Sequence, residues 1–284
     1  MSLLISKSLI DRYAAGPSVT RTAAVKTLQE NVRKALSDAA GAEFDTFLQG
    51  SYRNATAIAD INDVDIVALY DPWSAPASHS DWERLFLQVA AILEKSWRVS
   101  GTVKIDDKCV KLVGDVKADI VPAISQSSYS SADPITIYSR SARRERPNYP
   151  RTHYDNGVLK QKATGDTYKA TVRLFKRWVR QYSALDAPSF YIECAVHSIA
   201  GSQFNSYLPL SFSSVALKIL EYNRYSVIMS VAGDKDILTA SEWNPDAFSQ
   251  FQVHLRSDVR LVLDAMQAST TAEADRLWKL AFGE

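Results

Sequence analysis

The sequence predicts an α+β fold, a mixed sheet with flanking helices followed by a mainly helical lobe. Three observations carry this expectation. Strand-like runs bounded by turn residues crowd between residues 44 and 138, helical spacing governs the first forty residues and those after residue 167, and the two textures meet in a loose polar stretch. With 284 residues, 46% hydrophobic and 23% charged, the chain can bury a sizeable core as one large domain or two tightly joined ones. The division expected is 1–135, N-terminal helix included, against 136–284, with the cleft between tightly packed lobes as the natural place for a site.

Taken in order, residues 1–40 read as helix interrupted at Gly16-Pro17, with Leu28, Val32, Ala35 and Leu36 on one apolar stripe and Thr20 or Thr22 as cap of the second part. From Glu43 the pattern changes. Phe44, Phe47 and Leu48 make a short apolar run closed by Gly50-Ser51, and Val64-Asp65-Ile66-Val67-Ala68-Leu69-Tyr70 is a strand ended by Asp71-Pro72. A helix over 80–97 carries Trp82, Leu85, Phe86, Val89, Ile92 and Leu93 on its inner face and starts at Ser80 or Asp81. Strands are expected over 101–105, 108–113 and 115–121, with Gly114 turning between the last two and Pro122 stopping the third. After the serine-rich stretch 125–131 come a short strand over 134–138 and a polar stretch over 139–150. Helices over 167–182, 189–200, 213–222, 247–268 and 271–282 complete the chain.

Composition excludes several classes. Thirty-three Lys+Arg against 32 Asp+Glu leave a net charge of +1, so no bulk positive field is available to hold a long nucleic acid. No run of eighteen apolar residues occurs, and the start Met1-Ser2-Leu3-Leu4-Ile5-Ser6-Lys7 is too soon interrupted for a signal peptide, so no membrane partner and a cytoplasmic location are expected. Cys109 and Cys194 are far apart, lack zinc spacing and read as buried small hydrophobes. His79, His153, His197 and His254 show no metal-ligand spacing, and neither a Walker loop nor GxGxxG is present.

The strongest chemical signal is Gly50-Ser51, then Asp63-Val64-Asp65 opening a strand, then Asp119 within Val116-Lys117-Ala118-Asp119-Ile120-Val121. Alternate side chains of a strand share a face, so Asp63 and Asp65 point together while Val64 and Ile66 point to the core. Two such carboxylates repel by several kcal/mol at ~4 Å and an effective dielectric of ~20, which a hard cation, magnesium first, relieves. If the Asp119 strand pairs beside the first, a third carboxylate joins them, and two divalent ions about 3.5–4 Å apart then serve phosphoryl transfer. Gly50 lets backbone approach a phosphate closely, and the Ser51 hydroxyl can bond its oxygens. The alternatives are a solvent-facing strand edge for the aspartates and a plain turn for Gly50-Ser51.

Phe47-Leu48-Gln49-Gly50-Ser51-Tyr52-Arg53-Asn54-Ala55-Thr56-Ala57-Ile58 followed by Asp63-Val64-Asp65-Ile66-Val67 resembles the signature of the polymerase-β-type nucleotidyltransferases. More narrowly, it is similar to the bacterial relatives of cyclic GMP-AMP synthase and oligoadenylate synthase, the CD-NTases of anti-phage CBASS systems, and within them to clade E. Asp119-Ile120-Val121-Pro122-Ala123, Val172-Arg173-Leu174-Phe175-Lys176-Arg177-Trp178 and Ser189-Phe190-Tyr191-Ile192-Glu193-Cys194 resemble further stretches of that group. The resemblance implies that residues 1–135 are a catalytic core and that Asp63, Asp65 and Asp119 bind two Mg²⁺ ions, or Mn²⁺, with Asp119 helping to deprotonate the attacking ribose hydroxyl. Gly50 and Ser51 would meet the donor triphosphate, Lys176 and Ser189 its outer phosphates, and Phe190 its base. The alternatives are a solvated helix charge for Lys176 and a core aromatic for Phe190. Glu193 is expected in a structural salt bridge.

His153-Tyr154-Asp155-Asn156-Gly157 resembles the clade E segment in which an asparagine faces the base and favours uracil, since an amide offers both donor and acceptor to an imide edge. Asn156 is the candidate selector, or else a turn residue. Arg143-Arg144-Glu145-Arg146 reads as a solvated loop or as phosphate-neutralising charge. The activity implied is template-independent joining of NTPs into a cyclic dinucleotide containing a pyrimidine, cyclic di-UMP or cyclic UMP-AMP, with release of pyrophosphate. The partners implied are NTP substrates and a separate effector that binds the product, the enzyme itself acting as a monomer. Other acceptors on the same fold (an oligonucleotide, a tRNA end, a protein hydroxyl) and a non-catalytic nucleotide sensor are the alternatives.

Overall fold

The computed structural model describes residues 4–40, 44–61, 63–70, 76, 78–125 and 133–284. They form two compact units: Pro17–Ala55 with Asp60–Tyr154, and Met1–Gly16 with Thr56–Ala59 and Asp155–Glu284. The boundary expected at residue 135 falls instead at the first residue of a strand. Strands Ile135–Ser139 and Arg144–Asn148 extend the sheet, so the sheet-containing unit runs on to Tyr154.

In the first unit, α2 (Val19–Ala40), which follows α1 (Lys7–Ala14) of the other unit, precedes β1 (Phe44–Gln49), the single turn α3 (Gly50–Arg53) and β2 (Asp63–Tyr70). Next come α4 (His79–Lys95), β3 (Thr102–Ile105), β4 (Val110–Val113), β5 (Lys117–Ser125), β6 (Ile135–Ser139) and β7 (Arg144–Asn148). The strands form one sheet in the order β1-β2-β5-β4-β3, with β6 pairing β5 and β7 pairing β6. Among the described residues only β2 and β5 run parallel. Parallel neighbours need a long crossover, which α4, β3 and β4 supply.

Alternation along β2 and β5 sorts the two faces. Val64, Ile66 and Ala68 of β2 and Ala118 and Ile120 of β5 bury against Val25, Val32 and Leu36 of α2 and Trp82, Leu85, Phe86, Val89 and Leu93 of α4. Each such large side chain contributes about 1.5–3 kcal/mol on burial. On the opposite face Val67, Leu69, Ala123 and Ile135 form a smaller apolar cluster with Phe47 and Ile137. The odd-numbered residues before them on β2 are Asp63 and Asp65, which therefore lie on the sheet face away from α2 and α4.

Several expectations are corrected. Ser18 caps α2 in place of Thr20 or Thr22, its Oγ accepting from the Arg21 N–H at 3.1 Å. Ser78 caps α4 in place of Ser80 or Asp81, accepting from the Asp81 N–H. β5 runs through Pro122 to Ser125, because Pro122 sits where the partner on one edge changes from β4 to β6 and a missing N–H breaks no ladder there. The stretch 139–150 is not loop: Arg144–Asn148 is an edge strand, anchored by the Trp82 indole N–H donating to Glu145 at 2.9 Å. The stop at Asp71-Pro72 and residues 126–131 lie outside the described residues, as do Met1, Ser2, Leu3 and Glu43.

α5 (Pro150–Ala163) passes from one unit to the other. The second unit continues with α6 (Tyr168–Val179), α7 (Ser189–Ser198), α8 (Leu208–Ile219), α9 (Pro245–Gln267) and α10 (Thr271–Ala281). α8 starts five residues earlier than its spacing suggests, with Pro209 in its first turn, where no N–H is required. Trp178, Phe212, Trp243, Phe248, Phe251 and Trp278 fill the core with the apolar face of α1. Among the described residues no helix is long and apolar enough to cross a membrane.

One buried carboxylate holds this core in register. Asp258 accepts from the Trp178 indole N–H at 2.8 Å and from the Tyr182 hydroxyl. Asp258→Ala strands two donors, and a loss of about 2–4 kcal/mol in unfolding free energy is expected by urea titration. A loss under about 0.5 kcal/mol would show the network to be dispensable.

Candidate active site

The site begins with the register of β2 on β5. Asp65 stands opposite Asp119 and Asp63 opposite Lys117 in the parallel ladder. Directly opposed residues share a face, so Asp63, Asp65 and Asp119 belong to one face of adjacent strands. β2 and β5 are interior strands of the sheet, and Asp63, the first residue of β2, is exposed. The same row continues through Gln49 of β1, opposite Asp65, and Lys111 of β4, opposite Asp119.

Asp119 is half-buried, and burial raises its carboxyl above the ordinary carboxylate range, with the negative charge of Asp63 adding to the shift. Lys111 and a hydrogen bond from the Cys109 thiol act in the other direction. Cys109 is itself buried, and desolvation followed by the Asp119 charge pushes its thiol up to about 12. The Lys111 ammonium is held by Asp106 at 2.5 Å.

Gly50 opens α3 at φ +64°, and an added Cβ would stand 2.2 Å from Asp65 Oδ2. The carboxylate of Asp65 therefore lies directly over a glycine that has no room for a side chain. Ala55, at φ 56°, closes the same turn in the left-handed region, a conformation that costs about 1–2 kcal/mol for a residue with a Cβ. The turn holding Ser51 is thus fixed at both ends. Gln49, last residue of β1, accepts from the Asn148 amide at 3.1 Å.

Asp63, Asp65 and Asp119 are the residues that could hold a hard divalent cation, since three carboxylates on one face otherwise only repel. Among the described residues no three acidic, histidine or cysteine side chains are already gathered around one point. The Asp65 carboxylate rests over Gly50, so an ion would be met by its rotation on a backbone that already places it.

The other predicted residues fall in the helical unit. Lys176 is not the solvated charge weighed as an alternative. Its side chain is 4% exposed, and its ammonium donates to Glu193 at 2.9 Å and to the Thr56 hydroxyl at 3.2 Å. Thr56 in turn donates to Glu193 at 2.7 Å. Glu193 makes the salt bridge expected of it. Two of the three donors of Lys176 are engaged in these bonds. Ser189 is the exposed first residue of α7, and Phe190 beside it is 41% exposed, which excludes a core role. Lys235 Nζ lies 5.9 Å from the Phe190 ring. Asn156 is not a turn residue but lies inside α5, where its side-chain N–H donates to the Val231 carbonyl at 2.9 Å. A carbonyl partner fixes which end of the amide is nitrogen.

Sequence reasoning missed Cys109, Lys111 and Thr56. The signal for the first two was the hairpin through Gly114. Once β4 is laid antiparallel on β5, Lys111 falls opposite Asp119 and Cys109 becomes its diagonal neighbour. For Thr56 no local signal existed.

Residues 155–260 match the cGAS/DncV-like nucleotidyltransferase C-terminal helical domain. The cyclic UMP-AMP synthase of Rhodothermus marinus is 30% identical over 198 residues, covering 60% of this chain and 68% of that protein. The chain belongs to the CD-NTase family. Its resemblance within that family of nucleotidyltransferases is to CdnE-type members. The cyclic dipurine nucleotide synthase of Elizabethkingia meningoseptica is 31% identical over 196 residues, 56% of this chain and 65% of that protein, so the match spans just under two thirds of that relative. The solved structure of Rhodothermus marinus CdnE c-UMP-AMP synthase with Apcpp and Upnpp superposes with a TM-score of 0.71 at 24% identity. It covers 89% of this chain and 96% of that one, a likeness of fold. Mixed sheet, flanking helices and helical C-terminal half are thus those of cGAS/DncV-like enzymes.

Two outcomes follow from the geometry. Gly50→Ala pushes a methyl group into the Asp65 carboxylate, and pyrophosphate release from NTPs is expected to fall about 100-fold, since misplacement by ~1 Å is enough for that. An unchanged rate would detach Asp65 from the chemistry. Lys176→Met alone leaves Glu193 buried and unpaired, and about 3–5 kcal/mol of stability is expected to go; Lys176→Met with Glu193→Leu should recover most of it in the same denaturation experiment.

Proposed function

We propose that this chain joins two NTPs into a cyclic dinucleotide without a template, releasing pyrophosphate at each of two steps, as a cytoplasmic enzyme of anti-phage signalling whose product is read by a separate effector. The observation that carries the reading is the register that sets Asp65 against Asp119 beside Asp63, in a chain related to cyclic dinucleotide synthases. In the first step the 3′-hydroxyl oxygen of one nucleotide bonds the α-phosphorus of another. The α–β phosphoanhydride bond breaks, its electron pair leaves with pyrophosphate, and Asp119 takes the hydroxyl proton. The second step repeats this within the linear intermediate and closes the ring.

Asp63, Asp65 and Asp119 would hold two Mg²⁺ ions, which when bound neutralise the charge on attacking and leaving oxygens. Ser51, on a turn fixed by Gly50, hydrogen-bonds the triphosphate. Ser189 at the start of α7 and the remaining donor of Lys176 serve the outer phosphates, and the exposed Phe190 ring stacks on a base.

The base preference proposed is a pyrimidine at one position at least. The two relatives named differ on this point, one being a dipurine and the other a UMP-AMP synthase. Asn156 tips the reading. With one N–H held by the Val231 carbonyl, its second N–H and Oδ1 remain to pair with the imide edge of uracil.

The test is incubation with each radiolabelled NTP and Mg²⁺ or Mn²⁺, phosphatase treatment and separation of products, beside an Asp63→Asn/Asp65→Asn control. A phosphatase-resistant product labelled from UTP and absent from the control is expected. Asn156→Ser should lower UTP incorporation relative to ATP by about 10-fold, the worth of one to two hydrogen bonds. A resistant product labelled from purines alone would contradict the base assignment. Phosphatase-sensitive chains or labelled protein would contradict the cyclase, and no incorporation by any acceptor would favour a sensor.

A further inference from the structure

The third carboxylate has a neighbour whose position calls for an explanation. Cys109 is 6% exposed and sits immediately before β4, with its carbonyl accepting from the Asp106 N–H at 2.9 Å. Val110 pairs with Ile120 and Lys111 with Asp119, so the next pair outward sets Cys109 beside Val121, on the face that carries Asp119. A diagonal neighbour on an antiparallel ladder is within reach of a short side chain. Register and burial thus set the Cys109 thiol within reach of the Asp119 carboxylate, whose charge adds to the burial that raises the thiol. Lys111, opposite Asp119, is drawn off to Asp106 at 2.5 Å. On its β2 side Asp119 faces Asp65 and Asp63, which as carboxylates can only accept.

We infer that Cys109 is a positioning residue for Asp119: its S–H holds one carboxylate oxygen and leaves the other turned to the face shared with Asp63 and Asp65, where a divalent cation binds. The inference rests on reading Asp119 as a metal-binding carboxylate. A thiol suits the place because its single donor is directional and carries no charge, whereas an ammonium at the same distance would compete with the cation for the carboxylate. A backbone held by the turn from Asp106 and by the β4 ladder gives the donor a fixed origin.

The test compares Cys109→Ala and Cys109→Ser, which remove the same volume and differ in the donor. Binding of Mn²⁺ alone to the full chain is followed through the EPR signal of free Mn²⁺, with Asp119→Asn as reference and a thermal melt of each variant as control for folding. Cys109→Ala is expected to raise the Mn²⁺ concentration for half-saturation about 10-fold, the usual effect of losing a group that orients a metal ligand, and Cys109→Ser to restore it within about threefold. Should the alanine variant fail to fold, Cys109→Val, which keeps the volume filled without a donor, takes its place. Wild-type affinity in the donorless variant overturns the inference, as does equal weakening in the serine and donorless variants or a wild-type chain that binds no Mn²⁺. The readout does not depend on the product. Donor-dependent Mn²⁺ binding without any cyclic dinucleotide would overturn the proposed reaction and leave the role of Cys109 standing.

Discussion

The parallel pairing of β2 with β5 is the constraint on which the candidate chemistry depends. Its register makes Asp65 and Asp119 direct neighbours and brings Asp63 onto the same face. A slip of one residue would turn Asp119 to the helix-covered face and expose Ile120 in its place. The slip is prevented by the apolar residues between the charged ones. Val64, Ile66, Ala118 and Ile120 are each 2% exposed or less and pack on α2 and α4. The energy that fixes three repelling carboxylates side by side is thus hydrophobic burial on the reverse of the same strands.

Small residues around the carboxylates refine what the register sets. Gly50 admits the Asp65 side chain into a space that a methyl group would fill, and Cys109 stands diagonal to Asp119 on the β4 side. Gly50 and Ser51 are adjacent in sequence and in one turn, so the turn that shapes the seat of Asp65 also carries the Ser51 hydroxyl. Lys176 and Glu193 form a buried ion pair in the helical unit, completed by hydrogen bonds of both to the Thr56 hydroxyl. Such a pair contributes little net stability but makes loss of either member expensive.

How much of this was legible in the sequence follows from which signals are local. Alternation and turn residues identified β2, β4 and β5, and the three aspartates stood out because charges beginning an apolar strand conflict with its burial. The capping serines were misread by two residues, since Ser18 and Ser78 stand beside other residues with equal capping propensity. The β7 strand was missed because its residues, Arg144-Glu145-Arg146-Pro147-Asn148, have no strand propensity. It exists through pairing with β6 and the bond from Trp82 to Glu145. Lys176 lies on an amphipathic helix, where a lysine reads as solvated. Only the approach of Glu193 and Thr56, 17 and 120 positions away along the chain, turns it inward. Asn156 preceded by Asp and followed by Gly reads as a turn, yet both Asn156 and Gly157 lie within the helix α5.

The most direct measurement of the central claim is anomalous diffraction at the manganese edge from crystals of the chain grown with Mn²⁺ and a non-hydrolysable NTP analogue. The account predicts two peaks about 3.5–4 Å apart, bounded by carboxylate oxygens of Asp63, Asp65 and Asp119. Manganese bound elsewhere, or held by Asp63 and Asp65 with Asp119 turned away, would contradict it.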